Sequence, residues 1–311
     1  MDIKTCLYSI SYLGIWYPGR PLTWREMLRR AKDIGYDAVE FDAKRPHANP
    51  MDWDDDIRKA VVYEAGQLGL DLPALSANND FSSPVPEHRE AQIMMVKEQL
   101  RLARDLGCKV LRVFGAWCGI TMRDGLAHYD EARLNWTRNF QDVPKIARWN
   151  FIKECLAECC KYAEEYGVCM ALQNHSPITA TWRDVYRMIQ EIGSPWLKIC
   201  YDINTDNDDK AVIDISTATI GGLDVHFHFN GEWERCANGE LVGKYVMGHE
   251  PLANYGYFVK KKIQNGYRGC LAYEFCHTPY INSVPQGMEY IDEQCAFALE
   301  LLKKWIAEAR E

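Results

Sequence analysis

No G-x-G-x-x-G fingerprint occurs in the 311 residues, so nothing favours an open, doubly wound nucleotide-binding sheet. No C-x-x-C pair occurs among the twelve cysteines. Several of them (Cys108, Cys169, Cys200, Cys270) fall on strand or helix core positions and three (Cys155, Cys159, Cys160) on one helix, so reduced, buried thiols are expected rather than disulfides or a zinc ribbon. Positive charge is in deficit: a net charge of -8 gives no electrostatic basis for a nucleic-acid partner. No apolar run approaches the roughly 20 residues of a membrane span. The opening MDIKTCLYSISYLGIWYPG leads straight into a strand without a charged-then-apolar signal, so a cytoplasmic protein with no membrane partner is expected. No Pro/Gly/Ser-rich linker or charge block divides the chain, and 47% apolar content suits one large core, so residues 1–311 read as one domain.

What is present is a repeat. An amphipathic helix ending in Gly and followed at once by an apolar strand recurs at AKDIG35-YDAVEF, AGQLG69-LDLPAL, ARDLG107-CKVLRVFG, AEEYG167-VCMALQ, IQEIG193-SPWLKICYD and IQNG266-YRGCLAYEF. Helix periodicity is clear in 24–33, 56–67, 88–106, 149–166, 182–192 and 290–309. The opening run Cys6 to Leu13 and the run Leu223 to Asn230 complete eight strands. Strands separated by helices pair in parallel through right-handed crossovers, so the fold class is α/β, a (β/α)8 TIM barrel with long loops on its active face.

Four apolar stretches in the second half each carry a metal-capable side chain near their end: Gln173 before Asn174 and His175, Asp202, His226 with His228, and Glu274 before Cys276. Alternation puts Gln173, His175, Asp202, His226, His228, Glu274 and Cys276 on one face and Met170, Leu172, Ile199, Tyr201, Phe227, Phe229, Leu271 and Tyr273 on the other. A carboxamide, two carboxylates and an imidazole at matched heights suggest a divalent-cation site with nitrogen and oxygen ligands.

These residues carry a resemblance. Ala171-Leu172-Gln173-Asn174-His175 is similar to the A-L-E-N-H pattern of the fifth strand in the xylose-isomerase-like barrel superfamily, which holds sugar isomerases, ketose epimerases, inositol-pathway enzymes and type IV apurinic endonucleases. The likeness runs from YLGIWYPG through GYDAVEF to YEF, and it implies Asp202, His228 and Glu274 as the other metal ligands. Manganese is the expected ion, with magnesium or cobalt as alternatives. An endonuclease is disfavoured by the acidic balance and by eight scattered histidines.

Gln173 stands where the family has Glu, which makes the liganded site formally neutral and the ion a stronger Lewis acid. In the ketose epimerases of the superfamily the strand-five and strand-eight carboxylates act as opposed bases, and Gln173 cannot. Proton transfer is therefore assigned to His175, Glu274, His277 or His47. Substrate contacts are expected from Arg112, which is expensive to bury without a partner, from His226 or its hydrogen bonds behind the ligands, from Glu40, and from Trp117. Trp117 opens an aromatic-rich insertion at 117–149 and a second insertion lies at 230–256; such loops suit stacking on a sugar or on a larger planar aglycone. The departures favour similarity to the catalytic alpha subunit of bacterial C-glycoside deglycosidases, which cleave a C-C bond of 3-oxo-glycosides and pair with a small second subunit; an oligomer is expected. A keto-sugar isomerase or epimerase is the alternative, and a non-catalytic sugar-binding barrel the second.

Overall fold

Eight strands and their crossover helices form a ring in the computed structural model, which describes residues 3–204, 207–246 and 248–310. The strands are β1 (Thr5–Tyr8), β2 (Ala38–Asp42), β3 (Ala74–Ser76), β4 (Val110–Val113), β5 (Cys169–Gln173), β6 (Leu197–Cys200), β7 in two pieces (Asp224–His226 and His228–Phe229) and β8 (Leu271–Tyr273). They lie side by side in that order, all parallel. The two ends of the sheet are the two pieces of β7: the first pairs with β6 and the second with β8. Tyr201 N donates to the His226 carbonyl at 3.2 Å and Ala272 N to the Phe227 carbonyl at 3.1 Å, so the sheet closes on itself at Phe227. Closure removes the unpaired edges that an open sheet would leave.

Around the ring run α1 (Trp24–Ile34), α2 (Asp55–Leu68), α3 (Pro86–Asp105), α4 (Tyr129–Phe140), α5 (Lys145–Tyr166), α6 (Trp182–Ile192), α7 (Lys210–Ile220), α8 (Tyr255–Gln264) and α9 (Met288–Glu308). The stop signals act as expected at Gly69 and Gly167. Each takes a left-handed conformation (φ 67° and 66°) in which its N–H reaches the carbonyls of the last helical turn. Thr23 and Thr181 open α1 and α6 with reciprocal bonds to Glu26 and Asp184. Among the described residues no helix is long and apolar enough to cross a membrane, and all twelve cysteines carry free thiols.

Three elements differ from the expectation. The opening run is a strand only to Tyr8 and then turns into a 3-10 helix (Ser9–Tyr12). There the Ser9 hydroxyl accepts from Asp42 N and the Ser11 hydroxyl from Phe275 N, each at 2.8 Å, tying the turn across neighbouring strand ends. Helix α7 escapes the periodicity because half of its buried stripe is Ser216 and Thr217, whose hydroxyls bond back to the Ile213 carbonyl. The two insertions are not bare loops. The first contains a hairpin (Thr121–Arg123 with Leu126–His128), α4 and the start of α5; the second contains a hairpin (Trp233–Arg235 with Leu241–Gly243).

Packing follows strand parity. Leu7, Val39, Phe41, Leu75, Leu111, Met170, Leu172, Ile199, Phe227, Phe229, Leu271 and Tyr273 face the helices in one continuous core. Inside the ring, Cys6, Ala38 and Ala272 form a separate floor of small side chains. That floor leaves room for the longer polar groups Glu40, Ser76, Arg112, His226 and His228, all buried, where barrels usually stack branched aliphatic residues.

One ion pair outside the ring is equally enclosed. Lys262 Nζ lies 2.6 Å from Asp224 Oδ2 and 2.7 Å from the Tyr201 carbonyl, while burial pushes the Asp224 carboxyl up to about 6 against the pull of Lys262. Removing one partner strands the other's charge. Lys262→Met is expected to lower unfolding stability by about 3 kcal/mol in urea titration, and adding Asp224→Asn in the same chain should recover part of the loss.

Candidate metal centre

The site is assembled by backbone register at the C-terminal ends of β5 to β8. Gln173 closes β5 opposite Cys200 of β6, Asp202 lies two residues further on, His228 opens the second piece of β7 opposite Ala272, and Glu274 follows β8. Asn174 fixes Asp202 from both sides: its Oδ1 accepts from Asp202 N at 2.8 Å and its Nδ2 donates to the Asp202 carbonyl at 3.0 Å. Asp202 Oδ1 accepts from His228 N at 2.7 Å, and Oδ2 accepts from Gln173 Nε2.

Two polar atoms in this buried patch, Gln173 Oε1 and His228 Nδ1, have no hydrogen-bond partner among the described residues. Leaving such atoms unsatisfied costs about 1–3 kcal/mol each. His228 Nδ1 points toward Glu274, 3.7 Å from Oε2. Its other nitrogen, Nε2, sits 3.1 Å from Glu40, and His226 Nε2 sits 2.9 Å from the same carboxylate. An ionised carboxylate only accepts, so His228 turns an Nε2 hydrogen to Glu40 and, in its neutral form, carries the lone pair on Nδ1; burial opposes the charged ring, but Glu40 and Glu274 outweigh it and raise its pKa. That is the tautomer a metal ligand needs, with a carboxylate behind the imidazole to hold it. Burial pushes Glu40 up, but His226 and His228 outweigh it and hold the carboxyl well below its usual range. Glu274 is displaced upward, chiefly by burial, with His228 opposing. The amide oxygen, carboxylates and imidazole nitrogen form an oxygen and nitrogen donor set, and the carboxylates of Glu40, Asp202 and Glu274 outnumber the Arg112 guanidinium. The residues present therefore fit a divalent cation held by Gln173, Asp202, His228 and Glu274. The Cys200 thiol is a further donor within reach of Asp202 and His228.

Above the ligands opens a cleft made of two adjoining cavities of about 250 and 410 Å³, which share Glu232, Lys244, Val246 and His277. The first is bordered by Asn204, Asn230 and Cys276, each two residues beyond a proposed ligand. Phe114 and Trp117 flank His175 edge-on, with centroids 4.9 and 5.0 Å away; Tyr129 meets Trp117 and stacks on Trp16. His175 Nδ1 donates to the Ser176 carbonyl at 2.6 Å, and burial brings its pKa down to about 4, so the ring is neutral at pH 7. His277 stacks on Phe275 and bonds through Nε2 to Glu232 at 2.7 Å.

Other candidates lie elsewhere. His47 does not reach the cleft: it is buried with Nδ1 on the Ser9 hydroxyl and Nε2 on the Leu22 carbonyl, each at 2.9 Å, a strut between the first turn and the loop after β2. Glu40 and His226 are buried beside His228, with the Glu40 carboxylate bonded to both imidazoles. Arg112 is buried too, but its partners are Ser76 Oγ, the Ala77 carbonyl and Tyr8 OH, with its guanidinium 4.1 Å over Phe114. Sequence reasoning missed Glu232, which collects His277, Tyr290 and Lys244. Its signal was a carboxylate three residues past Phe229, in the loop after a ligand strand.

The family model for the xylose isomerase-like TIM barrel matches residues 28–300. The chain belongs to that family. Within the xylose isomerase-like TIM barrels, L-ribulose-5-phosphate 3-epimerase UlaE of Shigella flexneri is 24% identical over 258 residues, covering 79% of this chain and 84% of that enzyme. Among solved structures, D-psicose 3-epimerase of Clostridium cellulolyticum H10, crystallised with D-tagatose, superposes with a TM-score of 0.68 at 15% identity, over 98% of this chain and 99% of that one. The 3-keto-D-glucoside 4-epimerase YcjR of E. coli gives 0.67 at 15%, over 96% and 99%. These relatives are sugar epimerases, and the solved structures share the fold.

Two outcomes are expected. Asp202→Ala and Glu274→Gln should each lower the content of bound divalent metal measured by mass spectrometry after manganese loading; unchanged occupancy in both removes the assignment. Separately, burial depresses the His47 pKa to about 4, with the Leu22 carbonyl and Asp42 opposing and Lys44 assisting. The unfolded chain takes up this proton below about pH 6.5 while the fold refuses it until about pH 4. Stability should therefore fall with pH through that window, by roughly 3 kcal/mol from this group, and the slope should flatten in His47→Asn.

Proposed function

We propose that this barrel is a divalent-metal-dependent keto-sugar epimerase or isomerase that removes a proton from the carbon beside a sugar carbonyl. The observation that carries the reading is the convergence of unpartnered Gln173 Oε1 and His228 Nδ1 with Asp202 and Glu274 under an open cleft. The epimerase relatives support it over C-C bond cleavage. When bound, a divalent ion, manganese by preference, supplies Lewis acidity toward a carbonyl oxygen.

The chain's own residues supply the proton chemistry. Glu274, partly buried and raised in pKa, is a stronger base than a solvated carboxylate. Gln173 offers no base opposite it, and His175 stands on that side of the ring. The Ser176 carbonyl fixes its tautomer with the lone pair on Nε2, and Phe114 and Trp117 fix its plane. Epimerisation then takes a proton from carbon onto Nε2 of the neutral His175 on one face and returns one from the Glu274 carboxyl on the other, the reverse reaction using Glu274 as the base; exchange with water resets both groups. His277, held by Glu232 at the cavity wall, is placed to bind a sugar hydroxyl.

A second reading keeps the same proton abstraction but ends in elimination of a 3-oxo-C-glycoside, with a small second subunit as partner. The neutral Gln173 and the wall of Trp16, Phe114, Trp117 and Tyr129 favour it. The manganese-loaded protein, incubated in heavy water with L-ribulose, with D-psicose and with a 3-oxo-C-glucoside, separates the readings. Deuterium beside the carbonyl together with an epimer or isomer is expected; aglycone release would transfer preference to cleavage. Glu274→Gln and His175→Asn should each lower turnover on the order of 100-fold. Absence of both exchange and release from the wild type would refute the enzymatic reading.

A further inference from the structure

Barrels that take phosphate esters commonly hold the phosphate in the loops after β7 and β8, at a helix N-terminus where free N–H groups and the helix dipole favour an anion. In this chain a carboxylate stands beside each of those helix starts. Helix α8, which follows β7 and borders the cavity through Tyr255, is preceded by the cavity residue Leu252 and by the amides of Ala253 and Asn254. Both donate to one side chain: Ala253 N to Asp208 Oδ2 at 2.6 Å and Asn254 N to Asp208 Oδ1 at 2.9 Å. Helix α9, after β8, carries Glu289 in its first turn.

The cleft itself repeats the pattern. Among the described residues its lining has one ammonium, Lys244, against the carboxylates of Glu232, Glu250 and Asp130. Lys244 is already committed: its Nζ lies 3.3 Å from Glu232 Oε2 and 2.6 Å from Tyr290 OH, and Tyr290 OH also reaches Glu232. A phosphate dianion entering here would meet unpaired negative charge and would have to displace a buried carboxylate from its ammonium, whereas sugar hydroxyls can donate to carboxylates and accept from imidazole.

From this we infer that the substrate is an uncharged sugar or glycoside and that Glu232 and Asp208 are the residues that discriminate against its phosphate ester. The inference rests on the sugar reading above and deepens it, setting this chain apart from the ribulose-phosphate relative.

The test compares L-ribulose with L-ribulose 5-phosphate by kcat/KM, and titrates inorganic phosphate and L-ribulose 5-phosphate by calorimetry into manganese-loaded wild type, Glu232→Gln and Asp208→Asn. The wild type is expected to prefer the free sugar on the order of tenfold or more and to give no phosphate heat. Glu232→Gln releases Lys244, so the preference should shrink on the order of tenfold and inorganic phosphate should become a competitor. Asp208→Asn, on a separate element, should shift the ratio the same way by freeing the α8 amides. Because the readout is a ratio, a general loss of activity in a variant does not move it. A wild type that favours the ester, or that binds inorganic phosphate with a Kd below about 1 mM, overturns the inference. If the wild type turns over neither sugar, the sugar reading fails, and calorimetry still decides this one: phosphate bound by the wild type overturns it, whereas phosphate bound only by the variants supports it.

Discussion

A fully buried carboxylate sits at the centre of this ring. Glu40 is fully enclosed, and a bare carboxylate in such a place costs several kcal/mol unless its lone pairs are met. They are met by Ser76 and by both imidazoles of the H-x-H segment. Much of the interior follows from that demand. The two histidines must reach across from β7, the floor beneath must be small, and the Arg112 guanidinium nearby supplies compensating positive charge. The outer nitrogen of His228 then faces Asp202 and Glu274 without a hydrogen-bond partner among the described residues. One buried charge thus decides which nitrogen a ring on the opposite wall turns outward.

Seen this way, the exchange of a carboxylate for an amide at position 173 changes the site less in shape than in charge. Gln173 still ends β5 in register with Cys200 and still meets Asp202. What it loses is basicity. The neighbouring His175, boxed by aromatic rings, is the group on that wall with a nitrogen suited to proton exchange. In the proposed reading, ligand framework and proton carrier are separate functions on one strand end, and Gln173 alters one while keeping the other.

The repeating helix-Gly-strand units made the barrel legible, because both signals are local: a left-handed Gly stops the helix, and the strand behind it alternates between ring interior and helix layer. The inward set at Gln173, Asp202, His228 and Glu274 was legible for the same reason, since parity survives closure. Elements stabilised by side-chain hydroxyls were not: the turn at Ser9 to Tyr12 and the Ser/Thr stripe of α7 look polar to any hydrophobicity pattern. Partnerships across the ring were also hidden. Nothing near His47 announces the Leu22 carbonyl 25 residues away, and nothing near Glu232 announces His277 and Tyr290, which arrive from 45 and 58 residues later.

The closure at Phe227 has a mechanical meaning. His226 ends one edge of the sheet and His228 begins the other, so the hoop is fastened at a clasp whose two prongs are the imidazoles gripping Glu40. Fraying at that seam would swing both rings off the carboxylate at once, and an ion held on the far side of His228 would brace the clasp shut. Loss of such an ion and the first opening of the hoop would be coupled, and amide hydrogen exchange at Tyr201 and Ala272, whose N–H groups latch the seam, would report both.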